Sequence, residues 1–120
     1  MKFYKGDSTS SSNLIKVDCN IVGNKVYKGN STSSSNMICN VRDDKAYKGD
    51  SGSSSNILFN VQGDKVYKGD SRSSSNMLCN IKGNKVYEGD SGSSSHIIFN
   101  TSERFNTEEL ATILYTLGLI

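Results

Sequence analysis

From residue 14 to residue 101, apolar and polar positions alternate in short runs, and each run stops at the same kind of polar interruption. In Ile57-Leu58-Phe59-Asn60-Val61-Gln62, the residues Ile57, Phe59 and Val61 alternate with Leu58, Asn60 and Gln62, which is the period of a strand and not of a helix. Gly63-Asp64 separates that run from Lys65-Val66-Tyr67-Lys68, and Gly23-Asn24 and Gly83-Asn84 stand in the same place in other copies. A Gly-Asx pair between two strand-like runs marks a two-residue hairpin turn, because both residue types tolerate positive φ. Asp43-Asp44 fills the position once, and Asp reaches that conformation at some cost. With Gly63 and Asp64 as the loop, Val61 faces Val66, Asn60 faces Tyr67 and Phe59 faces Lys68. One face is then expected to carry Ile57, Phe59, Val61 and Val66, and the other Leu58, Asn60 and Tyr67. Neither is plainly a solvent face. The sheet is therefore either thin and wetted on its poorer side, or curled so that part of both faces is covered.

The pattern recurs every 20 residues, nearly letter for letter: Tyr47-Lys48-Gly49-Asp50-Ser51 returns as Tyr67-Lys68-Gly69-Asp70-Ser71 and as Tyr87-Glu88-Gly89-Asp90-Ser91. Such self-similarity marks a fold built by adding one supersecondary unit to the next. The sequence predicts an all-β array, residues 1–101, of five tandem hairpin repeats in an antiparallel meander. The alternative is a β-solenoid. Stacked coils would set Lys25, Lys45, Lys65 and Lys85 about 4.8 Å apart, where like charges repel by roughly 1 kcal/mol per step even in water. A meander spaces them two strands apart, about 10 Å, and so roughly halves that cost. The connection from Gly69 to Ser75 is longer than most hairpin loops, and this favours the solenoid instead. The first unit is three residues longer, and Ile15, Val17, Cys19 and Ile21 continue the alternation, so the extra length is expected to extend a strand.

After Thr101 the period changes. Asn106 with Glu109 three residues on forms a capping box, Leu110, Ile113, Leu114 and Leu117 make one apolar stripe, and Gly118 ends the helix. Residues 102–120 are predicted to be a capping α-helix packed on the array, covering its last open face or edge.

Composition narrows the class. The 120 residues make one domain by length, with 34% hydrophobic residues, no Pro and no Trp, and the regular placing of the apolar residues is what separates the chain from a disordered one. A net charge of +2, from 14 basic and 12 acidic residues, is too balanced to imply a nucleic-acid or membrane partner by itself. No stretch reads as a signal peptide or a membrane span, so the expected location is cytoplasmic, with no membrane partner. Three cysteines give no disulfide framework, and because Cys19, Cys39 and Cys79 share one repeat position with Phe59 and Phe99 they read as packing thiols. Stacked coils would bring Cys19 and Cys39 within disulfide range, whereas a meander keeps them apart.

Chemistry-bearing motifs are few. Gly49-Asp50-Ser51-Gly52 and Gly89-Asp90-Ser91-Gly92 match the short signature around the nucleophile of chymotrypsin-like proteases, yet the single histidine, His96, only replaces the Asn of other copies. A triad needs a histidine held between serine and a buried carboxylate, and nothing else in the sequence supplies one. Asp7, Asp50, Asp70 and Asp90 offer one carboxylate per loop, too few for calcium, and read as Asx-turn caps. No cofactor or metal is expected. The Tyr-x-Gly element is similar to that of MORN repeats, but their glycine spacing and second aromatic are absent, so nothing carries over. Serine and threonine ranks bring ice binding to mind, and the lysines spoil such a surface.

What remains is a non-enzymatic binding or scaffold module. Tyr27, Tyr47, Tyr67 and Tyr87 beside Lys28, Lys48 and Lys68 form rows suited to a carbohydrate or another linear polymer, one unit per repeat. The competing reading of those tyrosines is plain strand packing against Asn. The runner-up function is a structural, self-assembling protein that joins copies through an edge strand or the C-terminal helix. An enzyme comes third.

Overall fold

The computed structural model describes all residues 1–120. Its strands are β1 (Phe3–Lys5), β2 (Leu14–Ile15), β3 (Cys19–Val22), β4 (Lys25–Lys28), β5 (Met37–Arg42), β6 (Lys45–Lys48), β7 (Ile57–Gln62), β8 (Lys65–Lys68), β9 (Met77–Lys82), β10 (Lys85–Glu88) and β11 (Ile97–Thr101), followed by the helix α1 (Thr107–Thr116). All strands join one antiparallel 11-stranded sheet in the order β2-β1-β11-β10-β9-β8-β7-β6-β5-β4-β3. The meander is thus the fold, and the solenoid is excluded. The predicted register holds within the hairpin, with Val61 opposite Val66, Asn60 opposite Tyr67 and Phe59 opposite Lys68.

The two edge strands β2 and β3 are linked by only Lys16-Val17-Asp18. Four Cα-to-Cα steps reach at most about 14 Å, so the sheet has to curl round until its edges nearly meet. The result is a flattened body of 37 × 33 × 20 Å. It is not closed, since β2 pairs only with β1 and β3 only with β4. One hairpin is built from the two ends of the chain: β1 pairs with β11 through Phe3–Thr101, Tyr4–Asn100 and Lys5–Phe99. The extra residues of the first unit do not lengthen its strand as the alternation predicted. They split it into β2 and β3, because the chain leaves the β1 edge after Ile15 and starts pairing with β4 only at Cys19.

Turns and loops sort to opposite ends. Two-residue turns ring one mouth, and the serine loops that join successive hairpins ring the other. The Gly-Asx turns use positive φ at the glycine alone, 61° at Gly23 and 65° at Gly63, whereas Asp43 and Asp44 both lie in the left-handed region at 52° and 63°. These are the signatures of type II′ and type I′ turns, respectively.

A register shift between Ala46 and Tyr47 pairs Ala46 with Phe59 and Tyr47 with Ile57, leaving Leu58 bulged. The same shift occurs after Val26, Val66 and Val86. The expected face for Ile57 is therefore corrected: the bulge moves it to the tyrosine side. Ile38, Leu58, Leu78 and Ile98 instead pack on the inner core. Inside the ring, Val26, Cys39, Ala46, Phe59, Val66, Cys79, Val86 and Phe99 are fully buried, together with Ala111, Ile113 and Leu114 of the helix. Five consecutive helix residues, Leu110 to Leu114, are buried, more than a single stripe would bury. The reason is position. The helix runs through the ring, starting where Thr107 donates to Asp44 in a hairpin turn (3.3 Å), while Leu119 and Ile120 lie at the loop-side mouth beside Ile98 and Leu58. Phe105 closes the turn side against Phe3 and Phe99, with ring centroids 6.4 and 6.1 Å away. The predicted capping box is present, Asn106 Oδ1 accepting from Glu109 N–H (2.8 Å) and Glu109 Oε1 from Asn106 N–H (2.9 Å).

Candidate functional site

Most of the repeated polar residues serve loop geometry. Asn60 Nδ2 donates to the carbonyls of Gly69 (2.8 Å) and Ser71 (2.9 Å), which folds the loop back over the outer face of its own hairpin. Asn40, Asn80 and Asn100 do the same in their hairpins. Ser51 Oγ accepts from Ser53 N–H (3.1 Å) and Asn56 Nδ2 (3.0 Å), the ST-turn that sets the start of the short 3₁₀ turn over Ser54–Asn56. His96 occupies the Asn56 position, with Nδ1 2.8 Å from Ser91 Oγ, while Ser93 N–H donates to the same oxygen at 3.1 Å. The imidazole thus takes the place that the Asn56 and Asn76 amides hold in their loops, and no carboxylate is hydrogen-bonded to its other nitrogen to orient it as a triad requires. The Gly-Asp-Ser-Gly match is a loop device.

The aspartates of those loops point outward. Asp70 pairs with Lys45 (3.3 Å) and Asp7 with Lys85 (3.0 Å), each linking one hairpin to another. The hydrogen bond that Lys85 donates to Asp7, and then the charge of Asp7, raise the Lys85 pKa above its ordinary value. No group of three or more His, Cys, Asp or Glu side chains could hold a metal ion. Cys39 and Cys79 are free, fully buried thiols whose pKa burial pushes up to about 12, and Cys19, half-buried, is raised by burial and then by Asp18.

The tyrosines and lysines singled out in the sequence do not share a surface. Tyr27, Tyr47, Tyr67 and Tyr87 pair across their hairpins with Asn20, Asn40, Asn60 and Asn80 on the outer face. Tyr27 and Tyr67 are only 7% and 8% exposed. Arg42 lies 5.9 Å over the Tyr47 ring, and Lys82 lies 5.5 Å over Tyr87. Lys28, Lys48 and Lys68 pair with Cys19, Cys39 and Phe59, which puts them on the inner side at the strand ends. There they are exposed and rim the loop-side mouth together with Lys5. None of these four has an ion-pair partner, in contrast to Lys45 and Lys85. Glu88 takes the corresponding place on β10, opposite Cys79.

Sequence reasoning missed the floor beneath those lysines, formed by Ile38, Leu58, Leu78 and Ile98 with the tail of the chain. A signal was available. Every unit opens its first strand with two consecutive apolar residues, as in Ile57-Leu58 and Met77-Leu78, and that breaks strict alternation where a bulge turns one of them inward.

No helix is long and apolar enough to cross a membrane. No curated protein and no solved structure gives a match. A family model described as "6-fold beta flower protein" matches residues 3–118, nearly the whole chain.

Proposed function

The chain belongs to the 6-fold beta flower family, and from that premise we propose that it is a non-enzymatic binding module whose loop-side mouth engages a linear polyanion. The observation that carries this reading is the sorting of charge. Loop aspartates pair with Lys45 and Lys85 on the outside, while Lys5, Lys28, Lys48 and Lys68 gather at one mouth without carboxylate partners. Lys28, Lys48 and Lys68 stand two strands apart, about 10 Å, and repel one another weakly in water. A polymer of closely spaced anionic groups meets several of them at once, relieves that repulsion and releases its condensed counterions. The tyrosines, packed under Arg42 and Lys82 or against the sheet, support the array and do not touch the ligand. Enzymatic chemistry has no foothold in this reading, because the repeated Asn amides and Ser hydroxyls are engaged in holding their own loops.

Titration with a polyphosphate chain at two salt concentrations tests the reading. Binding is expected to weaken steeply with salt, and the triple variant Lys28→Gln, Lys48→Gln, Lys68→Gln should lose at least tenfold in affinity with its melting temperature little changed. Wild-type affinity retained by that variant would remove the mouth as the binding surface.

A further inference from the structure

Two concavities on the loop-side mouth are copies of one site. The first, about 310 Å³, lies between Lys28 and Lys48 over a floor of Ile38, Leu58 and Ile120, with Tyr115 of the helix at its side. The second, about 460 Å³, lies between Lys68 and Glu88 over Leu78, Ile98 and Leu119. The correspondence is position by position at an interval of forty residues, two units of the repeat: 28 with 68, 38 with 78, 48 with 88 and 58 with 98. Chain-tail neighbours, Ile120 in one and Leu119 in the other, complete the two floors. The rims differ in charge, the first carrying two cations and the second a cation and an anion, and the side walls differ too, Tyr115 in the first and Ser75 and Asn76 in the second.

We propose that the Lys28/Lys48 pocket binds a free aliphatic carboxylate of the fatty-acid class, its head group between the two ammonium groups and its chain on the Ile38/Leu58/Ile120 floor. A concave site with an apolar lining and a few convergent polar groups is the usual form of a small-ligand pocket, and here the convergent groups are both cationic. The floor exists because the bulge at each strand start turns Ile38 and Leu58 away from the tyrosine side. The head group is selected by charge. Lys28 and Lys48 are exposed and have no carboxylate of the chain within ion-pair distance, so both ammonium groups are available to a ligand carboxylate. In the twin pocket Glu88 repels the same head group, and the apolar floor alone has to hold the tail. One protein thus contains the site and a related pocket whose rim carries the opposite charge at one of its two positions. The inference shares the loop-side mouth with the reading above and goes beyond it, adding a ligand of a different class at one pocket.

Calorimetric titration with dodecanoate, below its micelle concentration, tests this on the intact chain. One site per chain is expected for the wild-type protein. Glu88→Lys restores the residue that Lys48 supplies in the first pocket and should raise the count to two. Lys28→Gln with Lys48→Gln should weaken binding at least tenfold, and dodecanol, with the same chain and no charge, should bind at least tenfold more weakly than dodecanoate. Absence of a wild-type site overturns the proposal. So does a count of one in a folded Glu88→Lys protein, unchanged affinity in the glutamine variant, or equal binding of dodecanol. Polyphosphate binding without a dodecanoate site leaves the polyanion reading intact and removes this one. Dodecanoate binding without polyphosphate binding does the reverse.

Discussion

Asn60 shows how much one residue of the repeat does: its amide holds two loop carbonyls, nine and eleven residues away, and its carbonyl oxygen accepts from Gln62 Nε2 at 2.9 Å. In the copies with Arg42 and Lys82 at the Gln62 position, Asn40 Oδ1 and Asn80 Oδ1 are buried without a partner. Those two side chains lie over Tyr47 and Tyr87 instead, so an unsatisfied carbonyl is exchanged for a cation over a ring. The cysteines give the residue scale its clearest test. Cys39 and Cys79 have folded-state pKa values of about 12 against an ordinary 9.0, the cause being burial. Between those values the unfolded chain has released protons that the folded one retains, so stability is fully present below pH 9 and falls as pH rises. The two thiols together contribute a slope of about 3 kcal/mol per pH unit over that window. Urea midpoints at pH 8 and pH 10.5 should therefore diverge more for the wild-type chain than for Cys39→Ala/Cys79→Ala, which starts lower because it leaves cavities and then falls less. Equal losses in the two proteins would show that the thiols are not held neutral by the fold. The burial of these cysteines was legible from their sharing a position with Phe59 and Phe99. The turn conformations were legible only in part, because a Gly-Asx pair permits two positive φ values and the hairpin twist uses one.

At the scale of elements, the strand is where the sequence misleads and the reason is identifiable. Alternation describes a flat ladder, whereas each first strand here carries one residue more than its partner accommodates, and the surplus becomes the bulge at Leu58 or its equivalent. The split between β2 and β3 follows the same logic. Lys16-Val17-Asp18 continues the alternating pattern, yet β1 offers no backbone to pair with it. Elsewhere the turn of one hairpin accepts from the next: Val41 N–H to Asn24 O (2.8 Å), Val61 N–H to Asp44 O (2.9 Å) and Ile81 N–H to Asp64 O (2.7 Å). No bond of that kind reaches Ile21 N–H, and Ile21, Val22 and Leu14 are left 38%, 49% and 43% exposed along the seam. Deleting residues 16–18 restores the 20-residue unit and should let β3 dock on the amino-terminal edge of β1. Hydrogen exchange at the Ile21 amide is then expected to slow by at least tenfold. An unchanged rate would mean that something other than the inserted residues holds the seam open. The helix, by contrast, was readable down to its capping box, because caps and stripes are local. Its place inside the ring was not, since a stripe says that one face is buried and not how many neighbours surround it.

For the whole molecule, the decisive fact is that neither end of the chain forms a complete hairpin. Met1 to Ser8 reads as the second half of a unit and Ile97 to Thr101 as the first half of one, which in retrospect is the written sign that they pair. That pairing brings Lys5 to the mouth, two strands from Glu88, and it places Phe3 edge-on to Phe99 at 5.6 Å. It also lets Asn100 hold Gly6 O (2.8 Å) and Ser8 O (2.7 Å) across more than ninety residues of sequence. The sixth hairpin, and with it the place of Lys5 on the lysine-rimmed mouth, exists only if the two ends pair in this way, although the seam between β2 and β3 stays open. Cross-strand nuclear Overhauser contacts test it most directly. Gly6 N–H donates to Ile98 O and Ser102 N–H to Lys2 O, so Phe3/Thr101 and Lys5/Phe99 are the close, non-hydrogen-bonded pairs of the ladder. Strong Hα–Hα contacts are expected for both pairs, Phe3 with Thr101 and Lys5 with Phe99. Their absence in the folded chain, with β1 protons in contact with another strand or with none, would contradict a sixth hairpin built from the chain's two ends.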